Sequence, residues 1–315
     1  MTDAYVRPDV QMILTMMAQS DQPLMSEVEP AAAREMYNMM GAMLEADAVD
    51  LARIEDLSCP GPAGDIALRL YDSQAERSTE TPVIIFYHGG GFVIGDLESH
   101  HSFCTYISRE MDLPVIAVDY RLAPEAPFPA APDDSLAATR WVADNQEQLK
   151  LKISGLIPCG DSAGGNLALV VGQVFATEPA SVPVVAQFPI YPATRMDAEG
   201  GSMDEFAEGF LLTKESMEYF DSNYAPKDDD IHVSPYLGDL AKSPPTVLVT
   251  AGLDPLRDQG REYAADLIRH GVNTNFIEMP GNVHGFINIR KAAPSAAQDV
   301  DKMIAAWKTL LASLD

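Results

Sequence analysis

The sequence predicts one large α/β domain whose sheet is mostly parallel and is covered by helices on both faces. From residue 81 onward, apolar runs of strand length alternate with stretches of helical periodicity. The run TPVIIFYH (81–88) is largely apolar and rich in β-branched residues, which is typical of a strand buried on both faces. A chain of 315 residues, 47% of them hydrophobic, can bury one such core and carry an appendage beside it.

The N-terminal segment, residues 1–48, is predicted to be helical, because methionines and leucines recur there mostly at spacings of three and four. Nine of the 15 methionines lie in residues 1–43. Methionine is flexible and lines adaptable binding surfaces, so we expect these helices to contribute to a cap over a functional site. The alternative is that the methionines of residues 36–43 form the buried stripe of an amphipathic helix.

The elements that build the sheet follow in order. Two strands joined by a Pro/Gly turn are predicted over residues 51–71, before the strand at 81–88. The remaining elements are a helix at 98–111, strand 113–120, helix 131–148, strand 151–159, helix 164–177, strand 182–190, strand 244–252, helix 259–270, strand 272–280 and helix 296–314. Pro158 removes a ladder donor, and we interpret it as the end of its strand.

One segment interrupts this alternation. Residues 193–231 are rich in acidic residues and have a sequence pattern typical of helices, and aromatic side chains are spread along them. A crossover in a doubly wound sheet needs no such insertion, so we interpret it as a lid element. The predicted organisation is therefore N-terminal cap helices at 1–48 and a main domain at 49–315 that carries the cap insertion 193–231.

Charge and cysteine content limit the partners. The formal net charge of −26 repels nucleic acid and anionic membranes, so neither a nucleic-acid partner nor stable membrane association is expected. The acid excess has two open explanations, an ordinary acidic surface or adaptation to salt. Three cysteines fit a reducing compartment better than a disulfide framework. With no metal-ligand cluster, signal peptide or membrane-length apolar run in the sequence, we expect a cytoplasmic protein without a bound metal.

The stretch CGDSAGGN (159–166) places Ser162 in a G-x-S-x-G pattern between a predicted strand and a predicted helix. A sharp turn there strains the serine backbone and lifts its hydroxyl clear of the sheet. Gly160 and Gly164 allow strand and helix to approach closely, and the helix N-terminus directs N–H groups to the same place. A phosphate-binding loop is the weaker alternative, because GxGxxG and the P-loop lysine are absent.

A serine becomes a nucleophile when a base accepts its proton and a carboxylate orients that base. Asp254 follows the strand at 244–252 and His284 follows the strand at 272–280. The order Ser162, Asp254, His284 is the order that a nucleophile on a strand–turn–helix requires. Asp258 is the competing acid, and we interpret it as a cap of the following helix.

The other histidines are set aside because of their positions. His88 and His232 are set aside because they precede Asp254 in the chain, which is the wrong order for the base. The other three lie at predicted helix ends, where caps and solvated side chains are usual. They are His100, His101 and His270.

The sequence YHGGGF (87–92) supplies candidates for an oxyanion hole. Gly89, Gly90 and Gly91 have no side chains, so their backbone N–H groups can face a reacting carbonyl together with the N–H of Ala163. Taken alone, three glycines also fit a tight turn. Their combination with the ordered serine, aspartate and histidine predicts acyl-transfer chemistry.

The motifs YHGGGFVIGD, VDYRLAPEAPFPA, GDSAGGNLA, DPLRD and VHGF resemble the hormone-sensitive-lipase family of bacterial esterases over about residues 55–312. The resemblance implies an α/β-hydrolase fold with an eight-stranded sheet and a helical cap. It implies Ser162, Asp254 and His284 as the catalytic triad, and no cofactor. The implied oxyanion donors are Gly90, Gly91 and Ala163, with Gly89 adjacent.

The resemblance also implies a serine carboxylesterase that hydrolyses small-molecule esters of short to medium acyl chain through an acyl-enzyme. The alternatives are an amidase or deacetylase on the same triad, and a small-molecule binder without turnover. A homodimer through the last edge strand is a family-level expectation. In DYRLAPE (119–125), we expect Arg121 to pair with Asp119 and Glu125. Predicted substrate contacts, each also explained as cap core, are Tyr191, Phe206, Phe210, Leu211 and Phe286.

Overall fold

The structure is a computed structural model that describes residues 4–314, so residues 1–3 of the predicted N-terminal cap and residue 315 of the main domain lie outside the described residues. Its centre is one eight-stranded sheet. The strands are β1 (Arg53–Gly61), β2 (Gly64–Asp72), β3 (Thr81–Tyr87), β4 (Val115–Asp119), β5 (Ile153–Asp161), β6 (Phe188–Ile190), β7 (Thr246–Leu253) and β8 (Thr274–Val283).

The strands lie side by side in the order β1-β2-β4-β3-β5-β6-β7-β8. β2 pairs antiparallel with both of its neighbours, and every other pair is parallel. The predicted eight-stranded, mostly parallel sheet is therefore confirmed. Since parallel strands end at the same edge, the loops that follow β3, β5, β7 and β8 are available to form one site.

Helices cover this sheet, and short 3₁₀ turns lie at Met25–Glu27, Pro235–Leu237, Leu240–Lys242 and Phe286–Asn288. None of the helices between residues 4 and 314 is both long and apolar enough to cross a membrane. The helices are α1 (Pro8–Ala18), α2 (Pro30–Leu44), α3 (His101–Met111), α4 (Ala130–Asp144), α5 (Gln146–Leu149), α6 (Ala163–Thr177), α7 (Ser202–Glu205), α8 (Lys214–Tyr224), α9 (Arg257–Arg269) and α10 (Pro294–Ala312).

Both faces of the sheet are buried. Helices α3 and α10 pack on one face, and α4, α6 and α9 pack on the other. In β3, Ile84 and Phe86 point to the first layer, whereas Val83, Ile85 and Tyr87 point to the second. Because side chains alternate between the faces of a strand, a strand covered on both sides needs apolar residues throughout.

Two predicted elements differ from those observed: one strand is shorter than expected, and one helix is divided into two. The strand expected over 182–190 is regular only at β6, because Pro183 cannot donate to a ladder and the pairing before β6 consists of isolated bridges. The helix expected over 131–148 is divided at Asn145 into α4 and α5.

Pro158 lies inside β5 and not at its end, contrary to the interpretation from sequence. The Leu156 N–H donates to the Pro183 carbonyl at 2.8 Å, on the β6 side. Alternate residues of a parallel strand direct their N–H groups to the same side. The Pro158 nitrogen therefore faces β6 where that ladder is interrupted, before Cys159 pairs with Phe188. The proline fits there without removing a ladder bond.

The N-terminal segment and the insertion touch each other through a turn. Ser26 Oγ donates to Glu215 at 2.8 Å, and the Tyr219 hydroxyl donates to the Val28 carbonyl at 3.3 Å. Helix α1, in contrast, packs against α10 and β8. Hydrogen bonds between the N-terminal segment and the insertion are thus made by the stretch between α1 and α2.

Neither interpretation of the N-terminal methionines is correct for the whole set. In α2, Met39 and Met43 are 60% and 65% exposed, and in α1 Met12 is 74% exposed. These three side chains face solvent and neither line a site nor fill a core. The stripe of α2 that packs inward has helical spacing but includes a single methionine: Ala33, Tyr37, Met40 and Leu44.

The ion pairs expected within DYRLAPE are also wrong. Arg121 binds Asp134 in α4 through two contacts of 2.8 Å, and Glu125 binds Arg34 in α2 at 2.6 Å. Asp119 has no salt-bridge partner among residues 4–314, and burial raises its pKa to about 6. The motif therefore links the N-terminal segment to the main domain.

Candidate active site

Ser162 stands alone between β5 and α6. Its backbone has φ 56° and ψ −118°, a strained combination for a side-chain-bearing residue. Strand and helix meet without side chains between them. A Cβ added to Gly164 would lie 1.9 Å from the Tyr87 carbonyl oxygen, and one added to Gly160 would lie 2.4 Å from the Gly164 oxygen. The close approach expected from the two glycines is confirmed.

Asp254 directly follows β7, and His284 directly follows β8. His284 Nε2 lies 2.8 Å from Ser162 Oγ, and His284 Nδ1 lies 2.8 Å from Asp254 Oδ2. The other Asp254 oxygen accepts the Leu256 N–H at 2.8 Å. Asp254 is fully buried, whereas His284 is 9% exposed. The structure thus brings the three side chains singled out from sequence into one hydrogen-bonded chain that reaches the surface at the serine.

Asp258 lies in the first turn of α9 and does not reach His284. Its carboxylate accepts the Ser202 N–H at 2.9 Å and binds Arg257 and Arg261. No side chain caps α9, so the expected helix cap is wrong. Asp258 joins the insertion to the helix that follows Asp254.

The glycine loop after β3 lies beside the serine turn. The Gly89 N–H donates to Asp161 Oδ1 at 2.8 Å. That amide is occupied, so its assignment as an oxyanion donor is corrected. Gly90 and Gly91 have φ values of +118° and +59°, which glycine adopts readily. Within the described chain neither of their N–H groups has an acceptor, and Ala163 begins α6, where the first amides have no helical partner.

The predicted substrate contacts fall into two groups. Tyr191 and Phe286 are buried, and the Tyr191 ring lies 4.6 Å from the His284 ring and 5.2 Å from the Phe286 ring. Phe206 and Phe210 pack edge-to-face at 5.2 Å within the insertion, and Leu211 packs on the same core. The structure therefore brings Tyr191 to the triad histidine, packs Phe286 against Tyr191, and leaves the other three in the insertion.

Sequence reasoning did not single out Phe220 on α8. A Cβ added to Gly91 would lie 2.2 Å from the Phe220 ring, so this ring covers the glycine loop. The aromatic residues of the insertion were visible in the sequence. Which of them turns toward the loop depends on how α8 docks, and no local pattern encodes that.

Two further histidines are buried. His88 stacks on Tyr120 with ring centroids 4.3 Å apart, and burial lowers its pKa to about 4. His100 occupies the N-cap position of α3, but its side chain makes no capping bond. It is only 2% exposed and lies 3.1 Å from Asp161 Oδ1, so the expectation of a solvated side chain is wrong. Between residues 4 and 314, no group of three or more His, Cys, Asp or Glu side chains is arranged to hold a metal ion.

Comparisons with known proteins agree with this geometry. A family profile described as the alpha/beta hydrolase fold matches residues 84–288. The carboxylic ester hydrolase LipN of Mycobacterium tuberculosis is 37% identical over 82% of this chain and 70% of its own length. Ethyl acetate hydrolase of Pseudomonas putida is 35% identical over 84% of this chain and 85% of its own.

Solved structures resemble the whole described chain. A variant of an α/β hydrolase from the metagenome of Lake Arreo, Spain, superposes with a TM-score of 0.92 at 36% identity and covers 98% of this chain and 99% of its own. An esterase of the archaeon Pyrobaculum calidifontis superposes with a TM-score of 0.89 at 32% identity and covers 99% and 100%. This chain belongs to the hormone-sensitive-lipase-like family of α/β hydrolases.

Proposed function

We propose that the protein is a serine carboxylesterase in which Ser162 is the nucleophile, His284 the general base and acid, and Asp254 the residue that orients His284. The observation that carries this proposal is the chain of two 2.8 Å contacts from Ser162 Oγ through His284 to Asp254. Relatives named as ester hydrolases align with 82% and 84% of this chain, at 37% and 35% identity.

In the first half of the reaction, His284 Nε2 accepts the Ser162 proton while Ser162 Oγ attacks the ester carbonyl carbon. His284 then donates that proton to the leaving alkoxide, and the acyl-enzyme remains. In the second half, His284 takes a proton from water while the water oxygen attacks the acyl carbon. His284 then returns that proton to Ser162 Oγ as the bond between Oγ and the acyl carbon breaks, and the carboxylic acid is released. Asp254 accepts the His284 Nδ1–H throughout and stabilises the imidazolium that forms twice.

The negative oxygen of each tetrahedral intermediate needs fixed donors. We assign this role to the amides of Gly90, Gly91 and Ala163, because none of them has an acceptor among residues 4–314. Ala163 follows Ser162 directly, and the glycine loop is tied to the serine turn through Gly89 and Asp161. Such donors are already in place before the charge develops, so the protein does not rearrange during the reaction. Losing one typically costs about 2.7–4 kcal/mol of transition-state stabilisation.

The decisive test replaces Ser162 by alanine. Ser162→Ala should lower the kcat for p-nitrophenyl butyrate by about 10⁶-fold and should abolish labelling by a fluorophosphonate. Ser78→Ala is the matched control, since Ser78 is exposed and lies before β3, at the opposite end of that strand from the site. Retained turnover in Ser162→Ala contradicts the assignment, and an unlabelled wild-type protein indicates a binder.

The substrate is proposed to be a small ester with a short to medium acyl chain. Tyr191 and Phe286 restrict the space beside His284, and one relative is named an ethyl acetate hydrolase. We expect kcat/KM to fall steeply from the butyrate to the palmitate ester of p-nitrophenol. A matching aryl amide should be cleaved far more slowly than its ester, and comparable rates would favour the amidase alternative.

We propose that residues 1–48 and the insertion 193–231 form a cap on the catalytic domain 49–315. The support is the ring of Phe220 against the glycine loop and the Ser26–Glu215 contact between the two segments. We refer to them below as the cap segments. Site-directed changes in them should alter substrate preference and leave the chemistry of the triad intact.

The assembly and location are also proposals. β8 ends the sheet order, and an edge strand offers unpaired N–H and C=O groups to a second copy, so we infer a homodimer that sedimentation velocity can test. A cytoplasmic location is supported by cysteines that are free and buried, which cell fractionation can test: Cys59, Cys104 and Cys159.

A further inference from the structure

A second buried aspartate–histidine pair lies behind Ser162 and takes no part in the triad. Asp161 immediately precedes the serine, and its Oδ1 lies 3.1 Å from His100 Nε2. Each residue is only 2% exposed. Burying two ionisable groups is costly unless they are paired and hydrogen-bonded, so this arrangement needs an explanation.

Asp161 connects the serine turn to the glycine loop. Its Oδ1 accepts the Gly89 N–H at 2.8 Å, and its Oδ2 accepts the Tyr191 hydroxyl at 3.4 Å. A Cβ on Gly89 would lie 2.5 Å from Oδ2, so the carboxylate packs directly against the first residue of the loop. The next two amides of that loop are the proposed oxyanion donors. The position of Gly89 therefore sets where those donors begin.

His100 is itself held in place. Its Nδ1 lies 2.9 Å from Ser99 Oγ, and the Asn288 amide lies 3.0 Å from its Nε2. Burial raises the pKa of Asp161, but the charge and hydrogen bond of His100 and the Gly89 amide outweigh it, so that pKa is held below its ordinary value. Asp161 is thus an ionised carboxylate at neutral pH. A buried carboxylate beside an oxyanion site needs hydrogen-bond partners, and His100 Nε2 at 3.1 Å is one of them.

We propose that Asp161 and His100 are positioning residues that fix the glycine loop for oxyanion stabilisation. The inference rests on the proposed esterase function. Asp161 anchors the loop through the Gly89 amide, and His100 orients Asp161 through its Nε2. Loss of either residue leaves the triad present but misplaces the Gly90 and Gly91 amides, so it weakens transition-state binding and leaves ground-state substrate binding nearly unchanged.

The test measures kcat and KM per active site, counted by fluorophosphonate titration, so that unfolded molecules do not enter the result. We expect Asp161→Ala to lower kcat about 10²–10³-fold with little change in KM, as for loss of an oxyanion donor. Affinity for a trifluoromethyl ketone, whose adduct with Ser162 places an oxyanion in the hole, should fall in parallel. Asp161→Asn keeps an oxygen for the Gly89 N–H and should recover part of the loss.

A second set of variants covers the case in which Asp161→Ala does not fold. His100→Leu should lower kcat per site about 10–100-fold, and His100→Gln, which retains a donor, should restore most of it. His101→Leu is the matched control, because His101 follows directly on the same helix and contacts Tyr71 instead. The proposal is overturned if His100→Leu or folded Asp161→Ala keeps wild-type kcat per site, or if only KM changes. A wild-type protein that resists fluorophosphonate would instead refute the esterase proposal.

Discussion

The catalytic edge of the sheet and the cap segments are stabilised in different ways. At the edge, the carboxyl ends of β3, β5, β7 and β8 hold fully or nearly buried groups at hydrogen-bond distance, such as Asp254 and His284. In the cap segments, buried and exposed contacts to the rest of the chain are mixed. Glu45 and Arg290 form an ion pair in which both side chains are buried, whereas other pairs lie at the surface. Glu125, which receives Arg34 of α2, has a side chain that is 62% exposed.

The two regions also differ in how closely other atoms approach their glycine backbones. The serine turn has no room for a methyl group at Gly164, whereas a Cβ on Gly41 of α2 would meet nothing within 4 Å. Reaction geometry must be held to a fraction of an ångström, so the edge uses backbone contacts that cannot adjust. A surface that admits varied esters needs side chains that can repack at low cost.

The largest predicted effect is the difference in kcat between variants of the two aspartates that follow β7. Asp254→Asn should lower kcat about 10⁴-fold, because an asparagine amide favours the wrong His284 tautomer. Asp258→Asn, which loosens the contact of α9 with the insertion at Ser202, should change kcat less than about tenfold, the scale of one hydrogen bond. Steady-state kinetics with p-nitrophenyl butyrate measures both. Similar losses in the two variants would mean that the edge and the insertion are coupled during the chemical step.

A second comparison uses one glycine from each region. Gly164→Ala should destabilise the protein by about 3 kcal/mol or lead to a rearranged turn, because the new methyl group overlaps the Tyr87 carbonyl. Gly41→Ala, in the open interior of α2, should stabilise by about 0.5–1 kcal/mol. Urea unfolding followed by circular dichroism gives both values. Equal changes in the free energy of unfolding would show that the two regions do not differ in how closely neighbouring atoms approach the backbone.

The features that the sequence predicted correctly are determined by residues close together in the chain. The sequence predicts strand ends at 159, 252 and 280, and the observed ends at 161, 253 and 283 lie one to three residues later. The apolar runs stop close to Gly, Asp or Asn residues, so Ser162, Asp254 and His284 could be singled out without knowledge of the tertiary fold. The buried character of β3 likewise follows from its apolar run. These features depend on neighbours within a few residues.

The parts that sequence missed depend on partners far along the chain. Arg121 pairs with Asp134 rather than with Asp119 or Glu125. His100, in the segment after β3, pairs with Asp161 at the end of β5. Spacing alone cannot choose among the 47 acidic residues available as partners. The methionines fail for a related reason, since Met39 is a helix surface residue whose direction is set by how α2 docks.

The smallest effect lies in the cap segments, where Phe220 covers Gly91 of the glycine loop. Truncation of this ring opens space next to the reacting carbonyl without touching the triad. Phe220→Ala should therefore raise the ratio of kcat/KM for p-nitrophenyl octanoate to that for the butyrate by about tenfold, the scale of one or two methylene contacts.

Tyr219→Ala is the matched control, because Tyr219 is adjacent on α8 and of similar size but directs its hydroxyl to the Val28 carbonyl, away from Gly91. Its octanoate-to-butyrate ratio should stay within about twofold of wild type, since the apolar contact with the acyl chain is retained. If both truncations shift the ratio equally, selectivity arises from general loosening of α8. If only Phe220→Ala shifts it, the single ring above the glycine loop sets the acyl limit, and the insertion acts at the edge through one adjustable contact.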